Sequence, residues 1–126
     1  MGGIKVKISC GFGTLNCDND NEIEQILKKC ADNPLDDIWI SGENEYPCLA
    51  LLVNRELACI HFFASEEEHY QSVGNEESDG TTKFYAGGEM AELPNYTVVS
   101  LSLAIQCVKQ FFKSHNRPSC IKWNEI

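Results

Sequence analysis

The chain has 126 residues, 43% of them hydrophobic and 23% charged, and 19 acidic against 10 basic side chains give a formal net charge of −9. That length predicts one domain spanning residues 1–126 with a core of its own, and no apolar run approaches the roughly 20 residues of a membrane-spanning helix. The acidic excess argues against binding a phosphate backbone, which needs clustered Lys and Arg, and suits a protein that must meet a basic partner.

Ile4, Val6, Ile8 and Cys10 alternate with Lys5, Lys7 and Ser9, the period of a half-buried strand, which Gly11-Phe12-Gly13 ends. The segment before it has no apolar signal stretch, and Val6 stands where an acylation signal needs Ser or Thr, so the expectation is a cytoplasmic protein. Ile23, Ile26, Leu27 and Cys30 recur at helical spacing. With Asn21 and Glu24 approximating a capping box and Asn33-Pro34 as the stop, they predict a helix over 21–30. Asp37 to Ser41 reads as a short strand. Cys48–Val53 and Leu57–Phe63 are apolar runs joined by Asn54-Arg55-Glu56, a hairpin whose Asn tolerates positive φ. Both faces of this hairpin are apolar, which places it at the centre of a sheet with helices on one side.

From Ala64 to Thr81 there is no periodicity; six acidic residues occur without one Lys or Arg, which reads as a long functional or solubilising loop. Thr82 to Ala86 is a further strand ended by Gly87-Gly88. Leu101, Ala104, Ile105, Val108, Phe111 and Phe112 form the stripe of the clearest helix, with Ser100 as N-cap, Asn116 in the left-handed position after it and Pro118 beyond. Cys120 to Trp123 closes the chain as a strand. The fold class is therefore α+β: a single, mainly antiparallel sheet of about five to six strands with two helices packed on it.

Candidate chemistry is sparse. The seven cysteines include no C-x-x-C pair, so neither a zinc ribbon nor a dithiol redox site is signalled. Cys59 and His61 share one face of their strand, the geometry of a thiol nucleophile and its base, but a buried thiol beside a core histidine fits the same spacing. A zinc deaminase needs His-x-Glu and Pro-Cys-x-x-Cys; Pro47-Cys48 is present, but Leu51 replaces the second Cys and no His-x-Glu occurs. Glu66-Glu67-Glu68 lacks the alternation of a calcium loop. The reading is no catalytic residue, no metal and no cofactor.

One ordered series remains: Ile38-Trp39-Ile40, Pro47-Cys48-Leu49, Asn54 and Ala58, Ser72-Val73-Gly74-Asn75, Phe84-Tyr85-Ala86-Gly87-Gly88, Pro94, Ala104 with Phe111-Phe112, Arg117-Pro118 and Trp123-x-Glu125. In this order the series resembles the immunity-protein family of bacterial polymorphic toxin systems that is commonly encoded beside deaminase toxins. The resemblance implies an antitoxin used in competition between bacteria. It would inhibit by occupying the active site of a cognate deaminase in a 1:1 complex, with no nucleic acid or membrane as partner. The acidic loop, with Glu66, Glu67, Glu68, Tyr70, Glu76, Glu77 and Asp79, extended by Tyr85, Glu89 and Glu92, is then the candidate partner-binding surface. A thiol-dependent enzyme using Cys59 and His61, and an acidic adaptor without a toxin partner, stand as the alternatives.

Overall fold

The apolar alternation of Val6-x-Ile8, Ile38-x-Ile40, Leu49-x-Leu51-x-Val53 and Ala58-x-Ile60-x-Phe62 puts one face of four strands into a common core, and all ten of these side chains are buried. The molecule is a computed structural model that describes residues 6–11, 13–33 and 37–126; the predicted strand start at Ile4 and Lys5, the turn residue Phe12 and the helix stop at Pro34 lie outside them. The elements run β1 (Val6–Cys10), β2 (Gly13–Cys17), α1 (Asp20–Asp32), β3 (Ile38–Ser41), β4 (Cys48–Asn54), β5 (Leu57–Phe63) and β6 (His69–Val73). There follow β7 (Thr81–Ala86), β8 (Glu89–Pro94), a 3₁₀ turn (Asn95–Thr97), β9 (Val99–Ser100), α2 (Leu101–Ser114) and β10 (Lys122–Glu125).

The α+β class with two helices stands, and the sheet is larger than expected. Eight strands form it in the order β10-β6-β5-β4-β3-β1-β2, with β9 also paired to β5, while β7 and β8 make a separate two-stranded sheet. Pairing is antiparallel throughout. The additional strands are polar. Four of the five residues of β2 are exposed, β6 buries only Ser72, and β8 has no buried residue. Such strands are held by their ladders and show no hydrophobic period to read. In particular, β6 lies inside the stretch read as a structureless loop, and Gly87-Gly88, with φ of 60° and 80°, is a two-residue hairpin turn into β8.

Both helices lie on the face formed by the buried alternation. Ile23 and Leu27 of α1 and Ala104, Ile105, Val108 and Phe111 of α2 complete that core. Lys109 of α2 reaches Glu24 of α1 at 2.8 Å, and with Lys28 it holds the Glu24 carboxyl down to about 2. The capping pair of α1 is Asn19 and Glu22, two residues before the predicted one: Asn19 Oδ1 accepts from Glu22 N, and Asn19 Nδ2 donates to Glu22 Oε1, both at 3.0 Å. Ser100 caps α2 as expected, accepting from Leu103 N at 3.1 Å. The left-handed residue after α2 is His115 (φ 54°), one before Asn116, and its ring stacks on Phe111 at 5.3 Å. Likewise the positive φ in the β4–β5 turn falls on Arg55 (56°) rather than Asn54. Asn54 instead donates its side-chain amide to Lys83 O at 2.9 Å, which fastens β7 over the end of β4.

The strand β5 changes partner along its length. Leu57 and Ala58 pair with β9, whereas His61 to Phe63 pair with β6. Ser72, 1% exposed, stands at the changeover: its hydroxyl accepts from Ile60 N at 3.0 Å and donates to Thr97 O at 2.6 Å. Two residues later Gly74 N donates to Tyr96 O at 2.7 Å, and the backbones approach so closely that a Cβ on Gly74 would run into the Val98 carbonyl. Replacing Ser72 by Ala strands a buried amide, and is expected to lower unfolding stability by about 1–3 kcal/mol in urea titrations. Gly74→Ala overpacks the same junction and should cost about 1–3 kcal/mol.

Candidate functional site

The second face of the sheet carries the alternate residues of the same strands. Cross-strand register sets Trp39 opposite Ala50, Ala50 opposite His61 and His61 opposite Gln71; in the next row Ser41, Cys48, Phe63 and His69 follow one another. The half nearest the β4–β5 turn is covered. Asn54 holds β7 there, Phe84 of β7 is fully buried, and Thr97 of the 3₁₀ turn lies 3.7 Å from Cys59 Sγ. Towards the other end the face opens. Trp39 is 43% exposed and stacks on Phe63 with ring centroids 5.7 Å apart. Phe63 in turn stacks on His69 at 4.2 Å. A hollow of about 220 Å³ lies beside this stack, lined by Trp39, Ser41, Glu45, Tyr46, Cys48 and Phe63.

The acidic residues singled out in the sequence do not form one continuous patch. Glu66, Glu67 and Glu68 are exposed in the β5–β6 turn, whose shape is fixed by Ser65 Oγ accepting from Glu67 N and Glu68 N at 3.2 Å each. Glu76, Glu77 and Asp79 lie in the connector after β6, at the opposite end of a strand about 17 Å long. There Asn75 Oδ1 accepts from Glu77 N at 3.0 Å, and the Asp79 carbonyl accepts from Asn95 at 2.7 Å. Tyr70 packs half-buried against Phe62, donates its hydroxyl to Glu68 at 3.0 Å, and carries the Arg117 guanidinium 4.3 Å above its ring. Tyr85 and Glu89 lie next to the Gly87-Gly88 turn, where Tyr85 is paired with the exposed Met90, and Glu92 is paired with Lys83. Sequence reasoning passed over Trp39, Tyr46 and Phe63 as site residues. Their own strand or loop gives no reason to group them; the signal was only that Trp39 falls on the polar phase of Ile38-x-Ile40.

The Cys59–His61 pair is real, and the structure adds a third member. Cys59 Sγ lies 3.9 Å from His61 Nε2, and His61 Nδ1 lies 2.7 Å from His69 Nε2, one ring donating and the other accepting. The order thiol–imidazole–imidazole imitates a nucleophilic triad, yet the electrostatics oppose one. Burial pushes the Cys59 thiol up, against the lesser help of Thr97, Ser72 and Gln71. Burial first, and then His69 beside it, pushes His61 from 6.5 down to about 4. A nucleophilic cysteine needs the opposite: a stabilised thiolate and a base that keeps its proton. Among the described residues no group of three or more His, Cys, Asp or Glu side chains is placed to hold a metal ion, and no helix is long and apolar enough to cross a membrane.

Residues 21–125 match the family described as Immunity protein Imm1. The chain belongs to this immunity-protein family. It is also 30% identical over 110 residues to a protein of Burkholderia cenocepacia (strain H111) named double-stranded DNA deaminase immunity protein, a match covering 85% of this chain and 88% of the relative. Membership of an immunity-protein family makes this chain a non-enzymatic inhibitor, one that acts by binding. Several residues that carry the resemblance now have structural roles in it. Ser72 and Gly74 form the β5 junction, Gly87-Gly88 the β7–β8 turn, and Trp123 packs on Phe62 while donating to Pro118 O at 2.7 Å.

Two measurements follow from the charge states. In the native immunity protein, alkylation of Cys59 at neutral pH should run at least about tenfold slower than in the unfolded chain, read by peptide mass spectrometry. Because His61 binds a proton more weakly folded than unfolded, its contribution to stability is complete above about pH 6.5 and is lost as pH falls towards about 4. Urea midpoints across that window should decline less steeply in His61→Gln than in the parent chain.

Proposed function

We propose that this immunity protein neutralises a deaminase that acts on double-stranded DNA, by forming a 1:1 complex that occludes the enzyme's active site in the cytosol of the bacterium making both. The observation that carries the reading is membership of the family together with the name of the Burkholderia relative, matched over most of both chains. The net charge of −9 supports it physically. An enzyme that grips DNA needs a cationic surface around its pocket, and a carboxylate-rich inhibitor is steered to that surface and displaces the substrate from it.

The exposed carboxylates of Glu66, Glu67 and Glu68, and those of Glu76, Glu77 and Asp79 beyond β6, are the steering charges in this reading. Tyr85, Glu89 and Glu92 on the β7–β8 hairpin are the flanking contacts in the same reading. The test uses the purified chain and the deaminase domain encoded beside it. Deamination of duplex DNA should stop at one equivalent of inhibitor, and continued turnover in excess inhibitor overturns the proposal. The association rate should fall at least about tenfold between low salt and roughly 0.5 M salt. Reversing Glu66, Glu67 and Glu68 to Lys should slow association by about tenfold while leaving dissociation nearly unchanged; the same reversal at Glu76, Glu77 and Asp79 reports which end of β6 faces the enzyme.

A further inference from the structure

Trp39 is held in place without being buried. Its indole N–H donates to Asp37 Oδ2 at 2.7 Å, and one ring face is backed by Phe63 at an interplanar angle of 26°. Phe63 is itself backed by His69, 13° from coplanar, and by His61 with centroids 6.4 Å apart. The result is a rigid aromatic platform across β3, β5 and β6, on the face that the helices leave uncovered. A large exposed aromatic ring fixed in this way is preorganised for contact, because little side-chain entropy remains to be lost on binding. At about 220 Å³ the adjoining hollow is smaller than the roughly 300–1,000 Å³ of small-molecule sites. It suits one long side chain of a protein partner.

The charge of the hollow says which side chain. Glu45 lines it, and Glu66 of the β5–β6 turn stands near enough to Tyr46 to join burial and Glu45 in pushing the phenol up. Burial and then Glu45 also push the Cys48 thiol up to about 11. Burial is the larger cause of both shifts, and the carboxylates of Glu45 and Glu66 add negative charge at the mouth. Lys7, opposite Ser41 across the β1–β3 ladder, is a cation on this face at the β3 side of the hollow. Burial disfavours the charged form of His61, down at about 4, and of His69 as well, so the rings behind the platform do not add positive charge that would oppose a cation. Aromatic faces beside a carboxylate match a guanidinium better than an ammonium: it is planar, weakly hydrated, stacks on rings and forks onto carboxylate oxygens. Arginine is also, with lysine, one of the residues with which a DNA-acting enzyme holds phosphate.

We propose that the hollow between Trp39, Tyr46 and Phe63 receives an arginine side chain from the DNA-binding surface of the toxin, stacked on Trp39 with Glu45 as its counter-ion. This rests on the function proposed above and names the contact through which the inhibitor would displace DNA. It places the energetic centre of the interface on an aromatic cluster, with the flanking carboxylates supplying steering.

The experiment measures dissociation constants of the full-length chain and its variants against the deaminase domain encoded beside it, with thermal melts confirming that each variant folds. Trp39→Ala should weaken binding by about 30-fold or more, Glu45→Gln by about tenfold, and Trp39→Phe, which keeps a stacking face, by only about threefold. Lys7→Ala should leave affinity equal or slightly improved. Substituting the toxin's arginines one at a time should reveal one whose Ala variant is no longer sensitive to Trp39→Ala, the mark of a direct pair in a double-mutant cycle. If the parent chain binds while Trp39→Ala and Glu45→Gln bind within about twofold of it, the hollow is not the contact and the immunity function stands. If the parent chain fails to bind the deaminase at all, the functional reading itself falls. A toxin lysine showing the coupling in place of an arginine would overturn the assignment of the guanidinium.

Discussion

The hydroxyl of Ser72 is the point on which the architecture turns. A strand edge offers one line of donors and acceptors, and β5 divides that line between two partners, β9 at its start and β6 at its end. Where one partner leaves and the next arrives, the Ile60 amide has neither, and a buried amide without an acceptor is costly. Ser72 supplies the acceptor and passes its own proton to Thr97 O, joining β5, β6 and the 3₁₀ turn through one oxygen. Only a small hydroxyl side chain does both within that space, and only glycine at position 74 lets the following backbone pass Val98. Once β6 is fixed there, β10 can pair with it, and the β7–β8 hairpin returns across the second face of the sheet.

The consequence is a sheet whose two faces do different work. The helix side is closed by aliphatic and aromatic packing. Among the described residues the opposite side is closed only where β7 and the 3₁₀ turn lie on it, and the rest exposes aromatic rings set among carboxylates. That division suits an inhibitor. If the open face is the contact surface, as proposed above, stability resides in one layer and recognition in the other, so substitutions on that face tune partner choice without opening the core. The unactivated Cys59–His61–His69 series belongs to the boundary between the two regions, where burial favours the neutral forms of all three.

Some of this was legible from residues alone. The period of Leu101, Ala104, Ile105, Val108 and Phe111 gives α2, and the apolar runs of β4 and β5 mark the sheet centre, because burial on one or both faces writes itself into composition. The strands β2, β6 and β8 were not legible. Their stability comes from ladders to other strands, and their side chains are largely polar, so the segment from Ala64 to Thr81 reads as loop although His69–Val73 is a sheet strand. The shifted helix caps at Asn19 and His115 and the positive φ at Arg55 are smaller misses of one or two residues, where several candidate polar residues lay in a row.

By itself the sequence determined the fold class, the central hairpin, the two helices, the acidic sign of the molecule and, through its ordered motif, the family. The tertiary structure alone decided which side chains share the open face. Trp39, Glu45, Tyr46, Phe63 and His69 are spread over some thirty positions, and no local pattern groups them. The alternation within a strand tells which residues point the same way. Which of them become neighbours depends on strand order and register, and those are set by long-range hydrogen bonds between segments that the chain itself keeps far apart.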